Sequence, residues 1–140
     1  MSAMALMTAE DFNAAAEGRF PGHIGFHATE SSEGRAVARF EIQPHHLAPN
    51  GYLHAGSVVT LADTACGLGA RSVLPDGATG FTTIELMSNH LSTAREGTIE
   101  VVATATHAGR TTQVWDAVVT HVESGRKLAL FRCTQAVLWT

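Results

Sequence analysis

The sequence predicts an α+β protein in which a curved antiparallel sheet wraps around one long central helix, with a short helix near the N-terminus. Three features lead to this fold class. A continuous helical pattern runs from about residue 56 to about residue 72, four alternating runs follow between residues 81 and 139, and short Gly-containing connectors separate those runs. Because an antiparallel sheet needs a cover for its apolar face, and only one long helix is available, we expect the sheet to enclose that helix.

Length and composition limit the number of domains and the classes of partner. The chain has 140 residues, of which 45% are hydrophobic and 16% charged, so one domain spanning residues 1–140 is expected. The net charge of -4 offers no basic surface to nucleic acid or to an anionic membrane. Cys66 and Cys133 lie in apolar stretches, which predicts two buried free thiols. Without a signal-peptide pattern or an apolar run of about 18 residues, we expect a soluble, cytoplasmic protein.

The elements ahead of the central helix are short. Thr8 begins a capping-box pattern that predicts a helix ending at Gly18, and Pro21-Gly22 indicates a turn. A weak strand is predicted over residues 24–30. Over residues 35–42 the side chains alternate between two faces, which predicts a half-buried strand. One face carries Ala36, Ala38, Phe40 and Ile42, and the other carries Val37, Arg39 and Glu41.

The central helix follows a loop, residues 45–51, whose Pro and Asn-Gly content indicates turns. Residues placed at 100° steps form a broad apolar face and an opposite strip of small side chains that carries one acid. Small residues allow another backbone or a ligand to approach closely, so we expect this strip to be covered. The apolar face comprises Val58, Leu61, Ala62, Ala65, Leu68 and Gly69, and the strip comprises Thr60, Asp63, Thr64, Gly67 and Arg71.

After the turn at Pro75-Asp76-Gly77 the period changes from helical to alternating. The four runs span residues 81–91, 98–107, 111–122 and 127–139. Their short connectors predict an antiparallel meander in which each run pairs with the next.

The order of these motifs resembles the hotdog fold. Within it, the chain is similar to the PaaI-type and 4-hydroxybenzoyl-CoA thioesterases, and to the branch that includes 1,4-dihydroxy-2-naphthoyl-CoA thioesterase. The segments that carry the resemblance are PNGYLHAGSVVTLADTACG, TIELMSNHLSTAREG, HAGRTTQVWD and the closing strand. Two positions differ from the family pattern: Ala55 stands where Gly is common, and Ala48 stands where many members carry Asn or Gln. The resemblance implies hydrolysis of an acyl-CoA thioester, with coenzyme A as part of the substrate and no separate cofactor.

The residues themselves indicate how such a site would work. The amides of Ala55 and Gly56 at the helix N-terminus suit an oxygen that becomes negative, and Asp63 is the obvious nucleophile or general base. With a rise of about 1.5 Å per residue, Ala55 and Asp63 lie roughly 12 Å apart along one helix. A site that uses both must therefore join two subunits, which predicts a homodimer with shared sites. The family resemblance favours a dimer of dimers, although the sequence does not decide between a dimer and a tetramer.

Each site residue also has a structural interpretation. Asp63 alone would be an acid on the solvent side of an amphipathic helix, and the resemblance favours the catalytic role. His54 is either a loop histidine or a donor to the thioester. Thr64 either orients the Asp63 carboxylate or bonds back to the helix, as does Thr60.

Coenzyme A contacts are implied by the resemblance alone. The candidates lie in the third strand and in the turns beside it, and Arg95 and Arg110 could equally be solvated turn residues. No zinc-binding spacing occurs among the eight histidines, so no metal site is expected. Because of Ala48, a protein that binds acyl-CoA or an acyl carrier with little catalysis is the alternative, and a purely structural dimer is a third. The candidate contacts are Asn50, Ser88, Asn89, His90, Arg95, Gly109, Arg110 and Thr111.

Overall fold

One long helix lies against the inner face of a six-stranded antiparallel sheet in the computed structural model, which describes residues 6–140. This architecture confirms the predicted fold class. The elements in chain order are α1 (Ala9–Ala16), α2 (Phe20–His23), β1 (His27–Ser32), β2 (Arg35–Glu41), a 3-10 turn (Pro44–His46), α3 (Ala55–Arg71), β3 (Gly80–His90), β4 (Thr98–Ala108), β5 (Thr112–His121) and β6 (Lys127–Leu138).

The strand order corrects the predicted meander. The sheet runs β1-β2-β4-β5-β6-β3, so β4, β5 and β6 pair in sequence order while β3 pairs with β6 at the far edge. Strand β2 occupies the edge of β4 that the meander assigned to β3. Alternation of apolar residues determines which face a side chain takes, but it carries no information about which strand lies beside it.

The N-terminal segment differs from the prediction at two points, the Pro21-Gly22 turn and the start of the first strand. The Thr8 hydroxyl caps α1 by accepting the Asp11 amide at 3.0 Å, as the capping box predicts. Pro21-Gly22, however, lies inside the helical turn α2 rather than in a simple turn, because proline is tolerated in the first turn of a helix. The strand predicted over residues 24–30 starts later, since Ile24 and Phe26 turn into the core.

The core forms between α3 and the sheet. The predicted apolar face of α3 is buried, and the strip that carries Asp63 is only partly exposed. Gly69 is required at its position because a methyl group there would lie 2.5 Å from the indole of Trp115, which is fully buried on β5. Cys66 and Cys133 are buried free thiols, as predicted. No helix within residues 6–140 is long and apolar enough to cross a membrane.

Candidate active site

The N-terminus of α3 is capped by a histidine. His54 is extended (φ -69°, ψ 135°), and its Nδ1 accepts the Gly56 amide at 2.8 Å while its carbonyl accepts the Ser57 amide at 3.0 Å. Because Nδ1 is an acceptor, the ring proton lies on Nε2, which has no acceptor among the described residues. The Ala55 amide has no acceptor among the described residues. Of the two amides that the sequence suggested, Gly56 is therefore engaged and Ala55 is available.

His46 fixes the loop ahead of this helix. Its side chain is 2% exposed; Nε2 donates to the Ile24 carbonyl at 2.6 Å, and Nδ1 accepts the Gln43 amide at 2.8 Å. Its own carbonyl accepts the His54 amide and the Ser57 hydroxyl, each at 2.9 Å. Burial lowers the pKa of the imidazole, an effect to which His45 adds and which the bond to Ile24 opposes. Neutral His46 thus ties the N-terminal segment to the start of α3.

A cavity of about 450 Å³ opens beside the free Ala55 amide. Ala48 lies in its wall, so the residue that differs from the family pattern faces the same space as His54. The Asn50 side chain accepts the Tyr52 amide at 3.0 Å, which leaves its NH2 group as a possible donor. The Thr93 hydroxyl is buried without a partner in the described chain, and no sequence pattern had marked this residue. The cavity is lined by Ala48, Asn50, Tyr52, Leu53, His54, Ala55 and Thr93.

Asp63 lies midway along α3 and outside this cavity. Its Oδ1 is buried and accepts no hydrogen bond from residues 6–140. Burial raises the pKa of the carboxyl above its usual value. Thr60 bonds back to the Gly56 carbonyl at 2.7 Å, and no bond joins Asp63 to Thr64. In a single chain, the Oδ1 atom of the Asp63 carboxylate is therefore buried with no hydrogen-bond donor.

The candidate coenzyme A residues fall into two groups at opposite ends of the sheet. His90 pairs with Ala129 near the start of β6, whereas Gly80 pairs with Leu138 at its end. Ser88, Asn89 and His90 therefore share one end with Arg95 and Asn50, close to the start of α3. The second group, Gly109, Arg110 and Thr111, lies in the β4–β5 turn near the end of α3.

Both candidate arginines lie over aromatic rings. The Arg95 guanidinium carbon is 4.2 Å from the centre of the Tyr52 ring, and that of Arg110 is 4.4 Å from the centre of the Trp139 ring. No carboxylate within the described chain forms an ion pair with either arginine. Their charges remain available for an anion. No group of His, Cys, Asp and Glu able to hold a metal ion occurs in residues 6–140.

Comparison with known proteins identifies the family. The family model of the thioesterase superfamily matches residues 50–128, and the chain belongs to this superfamily. The 1,4-dihydroxy-2-naphthoyl-CoA hydrolase of Listeria monocytogenes is 36% identical over 115 residues, covering 81% of this chain and 91% of the relative. The hydrolase of the same name from Escherichia coli is 30% identical over 132 residues, covering 94% and 96%.

A solved structure agrees with the sequence relatives. The crystal structure of a thioesterase from Haemophilus influenzae superposes with a TM-score of 0.88 at 26% identity, covering 99% of this chain and 95% of that one. The fold and the relatives together define this chain as a hotdog-fold thioester hydrolase.

Proposed function

We propose that this protein is an acyl-CoA thioesterase whose active site is shared between two subunits. One observation carries the proposal: α3 presents an unpaired carboxylate at Asp63 and an unpaired amide at Ala55, with about 12 Å of helix between them. Both groups suit thioester hydrolysis, yet they cannot reach one carbonyl within a single chain. Two helices packed antiparallel about a two-fold axis would bring the Ala55 amide beside Asp63 of the partner subunit.

The exposed edge of the sheet supports a homodimer. Strand β3 has a neighbour on one side only, and large apolar side chains on or beside it are exposed. An unpaired, apolar edge is a site for association with another chain. The same two-fold axis would bring the start of α3 in one subunit towards the end of α3 in the other, which would unite the two groups of coenzyme A candidates. The exposed apolar residues assigned to this contact are Ile84, Leu86 and Leu91.

A second contact would join two such dimers. Met87 and Leu130 line a depression on the outer face of the sheet together with Asp116 and Arg132. Apolar surface next to a paired charge supports a dimer of dimers. Light scattering measures whether the protein has two or four chains.

In the proposed reaction, the thioester carbonyl lies between the Ala55 amide of one subunit and Asp63 of the partner subunit. In one form, water attacks the thioester carbonyl carbon and gives its proton to Asp63 of the partner subunit. The tetrahedral oxyanion is held by the Ala55 amide, with His54 Nε2 as a further donor. The carbon–sulfur bond then breaks, and the departing thiolate takes the proton held by Asp63. In the other form, the Asp63 carboxylate attacks the carbonyl carbon and the carbon–sulfur bond breaks, so an anhydride forms and CoA leaves as the thiolate. Water then cleaves the anhydride, which releases the free acid and restores the carboxylate, and the proton that remains converts the thiolate to the thiol.

The acyl group is proposed to be aromatic or of medium size. Two relatives are named 1,4-dihydroxy-2-naphthoyl-CoA hydrolases, and the cavity of about 450 Å³ beside His54 is large enough for a bicyclic acyl group. A panel of aliphatic and aromatic CoA esters, assayed for thiol release, identifies the preferred substrate.

The catalytic role of Asp63 is tested by Asp63→Asn. Since this change keeps the shape of the side chain and removes the base, we expect kcat to fall by about 10²–10⁴-fold with no loss of thermal stability. Nearly full activity in the folded variant would refute the role of Asp63.

The alternative, an acyl-CoA binding protein with little catalysis, is favoured by Ala48, because this residue lines the cavity with a methyl group and no amide. Ala48→Gln distinguishes the two. For a thioesterase that lacks one polar contact, we expect this variant to raise kcat on the preferred ester. Saturable CoA-ester binding without turnover, in both the wild-type protein and Ala48→Gln, would support the binding protein instead.

A further inference from the structure

Tyr52 lines two cavities. The first contains His54 and Ala55, and the second, of about 390 Å³, contains Arg95. Tyr52 and Thr93 line both. A ligand whose thioester lies at Ala55 would therefore pass Tyr52 to reach the Arg95 guanidinium.

The position of Tyr52 is fixed by its backbone. Its amide donates to Asn50 Oδ1 at 3.0 Å, and its carbonyl accepts the Ala48 amide at 2.7 Å. The side chain is nevertheless 42% exposed, so it contributes little to the core. A large aromatic ring held at the surface by its loop can stack against another side chain and restrict the orientation of that side chain.

The side chain that lies over the Tyr52 ring is Arg95. The guanidinium carbon lies over the ring, 4.2 Å from its centre, and the group has no ion-pair partner among the described residues. Arg35, Arg39 and Arg132 are paired with carboxylates, and Arg126, which lines the same cavity as Arg95, donates to the Thr93 carbonyl at 2.9 Å. Stacking holds the guanidinium plane in one orientation and leaves the N–H groups at its edge free, and a planar fork of this kind binds phosphate through two hydrogen bonds.

We propose that Tyr52 is a positioning residue that orients Arg95 to bind a phosphate group of the coenzyme A moiety. This inference rests on the proposed function for the identity of the ligand. It selects Arg95, rather than Arg110, as the arginine on the same subunit as the Ala55 amide that contacts a phosphate. Tyr52 acts through the face of its ring, so its hydroxyl group is dispensable.

A double-mutant cycle on coenzyme A binding tests this role. Calorimetry measures the dissociation constant of free CoA for the wild-type protein, Tyr52→Leu, Arg95→Leu and the double variant. Loss of the charged contact is expected to weaken binding about tenfold or more in Arg95→Leu. Loss of the stacking is expected to weaken it roughly two- to fivefold in Tyr52→Leu, and Tyr52→Phe should bind as the wild type does.

The decisive comparison is the effect of Tyr52→Leu in the two backgrounds. If Tyr52 acts through Arg95, Tyr52→Leu changes the dissociation constant in the wild type and has no effect in Arg95→Leu. An equal effect in both backgrounds, no effect in either, loss of binding in Tyr52→Phe, or a wild type that does not bind CoA would each overturn the proposal. Thiol release from CoA esters is measured separately, so a failure of the catalytic proposal is distinguished from a failure of this one.

Discussion

Replacing Ala55 by proline removes a single backbone N–H group from the proposed site. Ala55 is the first residue of α3, where proline fits because its fixed φ suits the helix and no intrahelical bond uses the N–H. The preceding residue, His54, is already extended at ψ 135°, the conformation that proline requires of its neighbour. The Ala55 amide has no acceptor in the described chain, so the variant loses no internal hydrogen bond.

The expected effect of Ala55→Pro is therefore on catalysis and not on folding. Loss of one oxyanion donor typically lowers kcat by about 10²–10³-fold, or about 2.7–4 kcal/mol of transition-state stabilisation. Steady-state thiol release gives kcat, and a thermal melt checks that the fold is retained. Ala55→Gly is the matched control, since it changes the side chain and keeps the N–H. If folded Ala55→Pro retained the wild-type kcat, the Ala55 amide would not be the oxyanion donor.

Three further predictions concern pH, packing and the proposed base. Because the pKa of His46 is lowered in the folded state, the unfolded chain takes up the proton first as the pH falls below about 6.5, so folding stability should decline on acidification through this range. Urea melts between about pH 7 and 5 should show a shallower decline in His46→Gln, and an equal decline would exclude His46 as a cause. Gly69→Ala should destabilise the fold by about 1–3 kcal/mol because the new methyl group meets Trp115. Gly67→Ala, whose methyl group would make ordinary contact with Phe81 at 3.7 Å, is the control, and equal stability of the two variants would contradict the packing account. Asp63→Asn should be at least as stable as the wild type at neutral pH, because a buried carboxylate without a hydrogen-bond partner is removed, and a clearly lower melting temperature would refute this.

The main elements were predictable because their periods are strong. The polar strip and apolar face of α3 predicted its first and last residues to within one position, and the four alternating runs predicted the ends of β3 to β6 equally closely. The position of β3 beside β6 was not predictable, because alternation specifies faces and not neighbours. The Pro21-Gly22 pair was misassigned because proline suits both a turn and the start of a helix.

The site was predictable only in part. Asp63 and Ala55 could be recognised on one helix. The helical rise between them was sufficient to indicate that the two residues of one chain serve two different active sites. The contributions of His46 and Thr93 come from hydrogen bonds and burial formed by distant segments, so no local pattern marked them. The engagement of the Gly56 amide by His54 likewise depends on a side-chain rotamer that the sequence does not encode.

Subunit complementation tests the shared active site most directly. Every site of the Ala55→Pro homodimer lacks the amide, and every site of the Asp63→Asn homodimer lacks the carboxylate. Each homodimer should therefore be inactive on the preferred CoA ester. When equal amounts of the two variants are unfolded together and refolded, half of the dimers should contain one subunit of each variant. Each such mixed dimer should have one complete site, formed by the intact Ala55 amide of one subunit and the intact Asp63 of the other. We expect recovery of about a quarter of the wild-type activity, because half of the dimers are mixed and each mixed dimer has one of its two sites complete. Recovery of none, from mixtures in which mixed dimers are verified by mass spectrometry, would contradict a site built from two subunits.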